Sequence, residues 1–337
     1  MNAGPNVSSA RRDWLDDYLA SLPEREGTII ISSPRPFALD EADYDRQYRL
    51  TADDLMEGRG LANLARARGT DISGPALEIG CGTGLLSLGL VESRLYPSVV
   101  LTDPSPAFLD ITRQKVERTL PDHGRVQYAI LLAEDIDRLP VGSLSLIAMR
   151  STLHHVLDVD GFILRASALL RPGGVLAFWE PCADGYILMG ALAQFIPVVA
   201  AARGHALMPQ DLERIDKFVR SMLWYADRRI DKVTAEDKHV FRPDQVLQSA
   251  DRAGLSGEFL PNHSFGNFAH TPFEMPRLQG FGWYMFDYLE KAMQFPPELV
   301  SYARDVFLPY CEILDELTRS HCGPYLTGVF FCRKRSG

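Results

Sequence analysis

Three glycines at alternate positions, Gly80, Gly82 and Gly84, stand in the heptapeptide Glu78-Ile79-Gly80-Cys81-Gly82-Thr83-Gly84. The run follows an apolar segment, Ala76–Ile79, and opens a helix-like one at about 84–93. Glycines in such a strand-to-helix turn adopt positive φ and let the backbone approach a ligand closely. The helix N-terminus behind them offers unpaired N–H groups and a partial positive field. Spacing separates the possible ligands. A dinucleotide fingerprint needs a third glycine at position 85, which is Leu85. A phosphate-cradling P-loop needs Gly-Lys-Ser or Gly-Lys-Thr, and neither follows. Taken alone, the heptapeptide is a tight turn able to cradle a small ligand.

Further reactive side chains recur at the ends of later apolar runs. Asp103-Pro104 closes Val99–Leu101, Asp135-Ile136 comes after Val126–Leu131, and Arg150-Ser151 then His154-His155 follow Leu144–Met149. Glu180 ends the run Val175–Trp179. In doubly wound sheets ligands bind outside the carboxyl ends of the strands, so these residues are expected along one edge. His154 and His155 are candidate bases there, the plain alternative being a structural pair. Glu180 is a candidate to orient an acceptor hydroxyl or amine, or else a solvated loop carboxylate. Arg150 suits a substrate carboxylate and a structural ion pair equally. His263 and His270 flank the exit of a later strand, and Cys81 reads as a small residue tolerated in the turn. The aromatic set Phe281, Trp283, Tyr284, Phe286 and Tyr288 has the spacing of a helix and is either core or the wall of an apolar acceptor pocket.

The elements that must position these groups follow from periodicity. Five short apolar runs between Ala76 and Trp179 alternate with amphipathic segments at about 84–93, 106–118 and 159–170, the pattern of βαβ units and a parallel sheet. Pro172-Gly173-Gly174 stops one helix and launches the next strand. Helices are expected at 11–22 and 51–67, and after Trp179 at 187–202, 211–227 and 242–253. Strands are expected at about 258–261 and at Thr327–Cys332.

The segment Leu77-Glu78-Ile79-Gly80-Cys81-Gly82-Thr83-Gly84 closely resembles the first motif of class I, Rossmann-like S-adenosylmethionine-dependent methyltransferases. Leu101-Thr102-Asp103-Pro104, Ala133-Glu134-Asp135-Ile136 with Leu139-Pro140, and Met149 through Val156 with Leu170 through Gly174 follow in that family's order. The resemblance covers about residues 60–180, and loosely 240–265 and 324–333. It implies an α/β fold: a doubly wound, mostly parallel seven-stranded sheet, with helical insertions forming a substrate cover. It implies S-adenosyl-L-methionine as cofactor, held by Glu78, Gly80, Cys81, Gly82 and Gly84, with Asp103 and Pro104 at the ribose. Asp135 and Ile136 are implied at the adenine, and Arg150 and Ser151 beside the methionine portion. Tyr44 and Tyr48 are placed by the same analogy in a lid. Where the family commonly has Asp at the start of the fourth strand, this chain has Ser145, which is read as a change in structural support.

The implied organisation is an N-terminal helical segment or lid (1–60) and a cofactor domain (61–180, 241–265 and 324–337). Two helical insertions (181–240 and 266–323) are expected to cover the substrate and to offer a surface for a possible homodimer. The implied reaction is direct in-line methyl transfer to oxygen or nitrogen of a small-molecule acceptor. Polysaccharide or protein acceptors, and a non-catalytic cofactor-binding regulator, are the alternatives.

The 337 residues are 46% hydrophobic and 23% charged, with net charge -9, ordinary globular composition that disfavours a phosphate-backbone partner. The short basic run Arg333-Lys334-Arg335 reads as a solvated tail. Five cysteines show no Cys-x-x-Cys spacing, and His321-Cys322 lacks nearby partners in sequence, so neither disulfides nor a metal site are expected. No signal peptide and no apolar run of membrane-spanning length is read, and a cytoplasmic protein is expected.

Overall fold

The computed structural model describes residues 14–37, 40–47, 54–120, 122, 124–227, 229–261, 281–319 and 323–335. Nine strands form one sheet: β1 (Glu24–Arg25), β2 (Thr28–Ile30), β3 (Ala76–Ile79), β4 (Val99–Asp103), β5 (Val126–Ile130), β6 (Leu144–Arg150), β7 (Leu170–Pro181), β8 (Leu255–Pro261) and β9 (Thr327–Lys334). Their order is β1-β2-β5-β4-β3-β6-β7-β9-β8. All neighbours pair in parallel except β1 with β2 and β9 with its two flanking strands. The expected seven strands are therefore present, and a hairpin extends the sheet beyond β5. Its strands are too short to leave an alternation in the sequence. The turn between them, Glu26-Gly27, has φ +52° and +74°, and Arg113 fastens it by donating to the Glu26 and Gly27 carbonyls at 2.8 and 3.0 Å.

Strands buried on both faces read as continuous apolar runs, and β3 and β4 are buried throughout. Leu77, Ile79 and Val100 belong to one core, with Leu15 and Leu19 of α1 (Trp14–Ala20), Phe162 of α6 (Val159–Leu169) and Val246 of α9 (Pro243–Arg252). Ala76, Val99 and Leu101 belong to the other, with Leu61 of α3 (Asp54–Ala67), Leu90 of α4 (Ser87–Glu92) and Leu109 of α5 (Pro106–Thr119). A short helix, α2 (Glu41–Gln47), precedes α3 and has no counterpart in the periodicity.

A third core lies outside the sheet. It joins α7 (Ala183–Ala202) and α8 (Pro209–Ala226) to α10 (Phe281–Asp287) and α11 (Pro297–Arg319) through Met189, Ile196, Phe218, Met222, Phe286 and Phe307. A single π turn, Tyr288–Ala292, continues α10. Phe281 and Phe286 are thus core residues, while Tyr284 and Tyr288 stack at its edge. α7 corrects one expectation: its 20 residues, with mean hydropathy 1.8 over an 18-residue stretch, are long and apolar enough to cross a membrane. In the fold its Met189, Ala193 and Ile196 side is buried in the third core, and Ile187, Phe195 and Val198 are exposed.

Candidate functional site

The glycine turn leaves β3 with Gly80, Gly82 and Gly84 at φ +68°, +50° and +89°. Its backbone is tied on several sides. Cys81 N–H donates to the Thr102 carbonyl at 2.9 Å, Thr112 Oγ1 to the Gly82 carbonyl at 2.7 Å, and Lys115 Nζ to the Thr83 carbonyl at 2.8 Å. Lys115 is itself paired with Asp45 of α2. A Cβ on Gly82 would meet no atom within 4 Å, so its open side faces the cavity, which the whole stretch Glu78–Thr83 lines.

Asp103 accepts the Gly82 N–H on one carboxyl oxygen and the Ser105 N–H on the other, each at 2.9 Å. A carboxylate has about four acceptor positions, so two stay available toward the cavity. Burial pushes the Asp103 pKa up to about 6 despite those two N–H bonds. Glu78 is 1% exposed. Burial, joined by the neighbouring Asp103 charge, lifts its pKa to about 8, and its Oε2 has no hydrogen-bond partner among the described residues.

At the far end, Leu131, Leu132, Ala133 and Glu134 line the cavity. A 3-10 turn over Ala133–Arg138 directs the next two side chains elsewhere. Asp135 pairs with Arg138 at 3.1 Å, and Ile136 is fully buried in the core. Asp135 and Ile136 therefore do not line the cavity, and Glu134 stands where an acid was expected. The segment Arg35-Pro36-Phe37 closes this side, its Arg35 N–H bound to the Pro104 carbonyl at 2.9 Å. Phe37 packs against Phe108 and Tyr44 with ring centroids 5.1 and 5.7 Å apart. Tyr44 lines the cavity; Tyr48, His263 and His270 lie outside the described residues.

The opposite edge gathers the candidate bases. Arg150 lines the cavity but is paired with Glu57 of α3, with Nη2 at 3.2 Å, and lies 5.8 Å from the Trp179 ring centroid. Of its two readings, the ion pair is the one formed. Ser151 also lines the cavity, at φ +50°, its N–H bound to the Trp179 carbonyl at 2.9 Å. Glu180 is 1% exposed and fully engaged. It accepts from Thr152 N–H at 2.8 Å, Leu153 N–H at 2.6 Å and His154 Nδ1 at 2.6 Å. It is neither solvated nor free to act as a base; it holds the loop and one histidine. His154 Nε2 lies 3.4 Å from Asp237 Oδ1. Burial disfavours its charge, but Glu180 and Asp237 together overcome this and hold its pKa at about 10. His155 alone of the pair lines the cavity. Burial and the adjacent His154 hold its pKa below the usual imidazole range, and its Nδ1 lies 3.0 Å from the Glu236 carbonyl.

Sequence reasoning missed Phe37, Glu41, Phe108, Glu236 and Asp237. Glu41 binds the Ser105 hydroxyl at 2.8 Å. Asp237 arrives through the segment between α8 and α9, where Lys238 N–H bonds the His154 carbonyl at 2.9 Å; nothing in local spacing signals that approach.

The residues present fit S-adenosylmethionine. Glu78 with its orphaned Oε2, Gly82 with its open side and Asp103 with its spare acceptor positions line one cavity. Residues 77–176 match the model of the methyltransferase domain family. The chain is 34% identical over 100 residues to a ubiquinone biosynthesis O-methyltransferase of Methylocella silvestris, covering 30% of this chain and 37% of that one. It is 30% identical over 116 residues to the human thiol S-methyltransferase TMT1B, covering 33% and 43%. A solved S-adenosylmethionine-dependent methyltransferase from Mesorhizobium loti is 21% identical with a TM-score of 0.44, over 80% of this chain and 95% of that one. The matched stretch thus spans well under half the length of these two curated relatives.

Proposed function

We propose that this chain, whose residues 77–176 match a methyltransferase domain family, is a class I S-adenosylmethionine-dependent enzyme that methylates an oxygen or nitrogen atom of a small molecule. The observation that carries this reading is the placement of His155 and Glu236 on the cavity that Gly82 and Asp103 also line. The bound cofactor supplies an electrophilic methyl group on a sulfonium, whose departure leaves a neutral thioether.

The residues of the chain have three tasks around it. Asp103 accepts hydroxyl hydrogen bonds from the ribose, already aimed by Gly82 and Ser105. Arg35-Pro36-Phe37 and Tyr44 exclude water from one side. His155, which lines the cavity, would hold the proton of an acceptor hydroxyl or amine, and such positioning of reactants contributes much of the acceleration in a displacement. The ubiquinone-pathway and thiol-directed names of the relatives support a small acceptor, and the helical cover around α7, α8, α10 and α11 is the part that would select it.

The reading is tested with a methyl-labelled donor and a panel of phenols, amines and thiols, following label transfer together with S-adenosylhomocysteine release. Transfer to an oxygen or nitrogen acceptor is expected. Transfer only to sulfur, or only to a macromolecule, would replace the acceptor class. No binding of the donor in calorimetry would overturn the reading altogether.

A further inference from the structure

We propose that His154, His155 and Asp237 hold a divalent transition-metal ion at the acceptor edge of the cavity. Three donor atoms converge there, His154 Nε2, His155 Nδ1 and a carboxyl oxygen of Asp237, all within 4.8 Å of one another. Each histidine nitrogen lies 3.4 Å from Asp237 Oδ1. Ligand bonds of about 2.1 Å at tetrahedral angles put neighbouring donors about 3.4 Å apart. Two edges of such a polyhedron are therefore already formed; the spacing between the imidazoles must adjust, and the His155 Nδ1 contact with the Glu236 carbonyl must give way.

The surroundings are those of a supported ligand set. A ligating histidine ordinarily gives its other ring N–H to a carboxylate, which fixes the tautomer and raises the basicity of the ligand nitrogen. His154 does this with Glu180, at 2.6 Å through Nδ1. Asp237 receives the Tyr225 hydroxyl on its second oxygen at 3.3 Å, leaving Oδ1 for the ion. Two imidazoles and one carboxylate favour Zn2+, Fe2+ or Co2+ over Mg2+ or Ca2+, which prefer oxygen alone. Three protein ligands leave a further position, and of the three His155 lines the cavity. Binding takes the proton from His154 Nε2 and shifts the Nδ1 hydrogen of His155 to its Nε2, so it releases one proton.

The site rests on the proposed function only for its role, a Lewis acid lowering the pKa of an acceptor oxygen; occupancy is read without donor or acceptor. Tag-free, chelator-treated full-length protein is titrated with Co2+ by visible absorption and with Zn2+ by calorimetry. One ion per chain and tetrahedral or five-coordinate Co2+ bands are expected. His155→Ala and Asp237→Asn are each expected to weaken binding at least tenfold while thermal melts show both still folded. Should His155→Ala fail to fold, Asp237→Asn, on a segment outside the sheet, carries the test. No saturable binding, or binding that either folded variant leaves unchanged, overturns the site and shows His154 to be a buried imidazolium between two carboxylates. Calorimetry of S-adenosylmethionine on the metal-free protein is run beside it; cofactor binding without metal binding overturns only this inference.

Discussion

Gly82 donates its backbone N–H to Asp103 Oδ2 at 2.9 Å, joining the turn after β3 to the carboxyl end of β4. The bond aims the carboxylate before any ligand arrives, and Ser105 N–H holds its other oxygen in the same way. Preorganised in this manner, Asp103 has little side-chain freedom left to lose on binding.

Replacing Asp103 by Ala removes both carboxyl oxygens proposed to meet the ribose hydroxyls and frees the Gly82 N–H. S-adenosylmethionine affinity is expected to fall at least tenfold, about 1.4 kcal/mol, by calorimetry, with the far-ultraviolet circular dichroism unchanged. Gly82→Ala is expected to act similarly by another route. It places a methyl group on the cavity side and strains a backbone at φ +50°.

The buried carboxyls give opposite pH trends for stability and for binding. Glu78 and Asp103 have ordinary values of 4.5 and 3.8, raised in the fold to about 8 and about 6. Between the ordinary and raised values the folded chain holds more protons than the unfolded one, so its stability falls as pH rises through that window. Cofactor binding that uses ionised Asp103 tightens over the lower part of it, as pH rises through about 6. Urea unfolding of the free protein and calorimetry of the cofactor, each from pH 5 to 8.5, check both signs. Parallel trends would contradict the assignment.

Both the sheet and the glycine turn were legible because each leaves a local trace: apolar runs for strands buried on both faces, and alternate glycines where φ is positive. Ser145 was legible by its departure from the family pattern. It bonds Gly74 N–H at 2.8 Å and pairs with Asp71, so a neighbouring acid supplies the charge that the family carries at this position. The pairing of Asp135 with Arg138 was not legible because the direction of a side chain in a 3-10 turn depends on where the turn begins, which spacing does not encode. Glu180 looked catalytic for its place at the carboxyl end of β7, and its three partners emerge only when Thr152, Leu153 and His154 fold back onto it. Asp237 was silent because 82 positions separate it from His155, and only tertiary packing joins them.

Glu180 is expected to show its importance in stability. Glu180→Ala leaves the Thr152 and Leu153 N–H groups unpaired and His154 with Asp237 alone. Breaking a buried pair from one side costs about 3–5 kcal/mol. The His154 contribution is fully present below its ordinary pKa of 6.5 and is lost as pH rises through about 10. Chemical denaturation should therefore show a wide gap between wild type and variant at pH 6 and a narrower one at pH 10.5. A pH-independent gap would mean that the loop amides, rather than the imidazolium, carry the effect.

The crossing of α3 on α4 sets the position of Arg150 at a distance. Gly58 and Gly89 face each other there; a Cβ on Gly58 would overlap the Leu86 carbonyl and the Leu90 nitrogen, and one on Gly89 the Leu55 carbonyl. Both obstacles are backbone, so the helices themselves would have to part. Glu57, one residue before the crossing, is the partner of Arg150 at the cavity wall. Gly58→Ala is expected to lower stability by about 1–3 kcal/mol or more, as overpacking does. Moving Glu57 also loosens Arg150, so S-adenosylmethionine affinity should fall in the same variant although position 58 does not line the cavity. Calorimetry at a temperature where the variant is fully folded separates the two effects. A destabilised variant with undiminished affinity would show that Arg150 keeps its place without the α3–α4 contact.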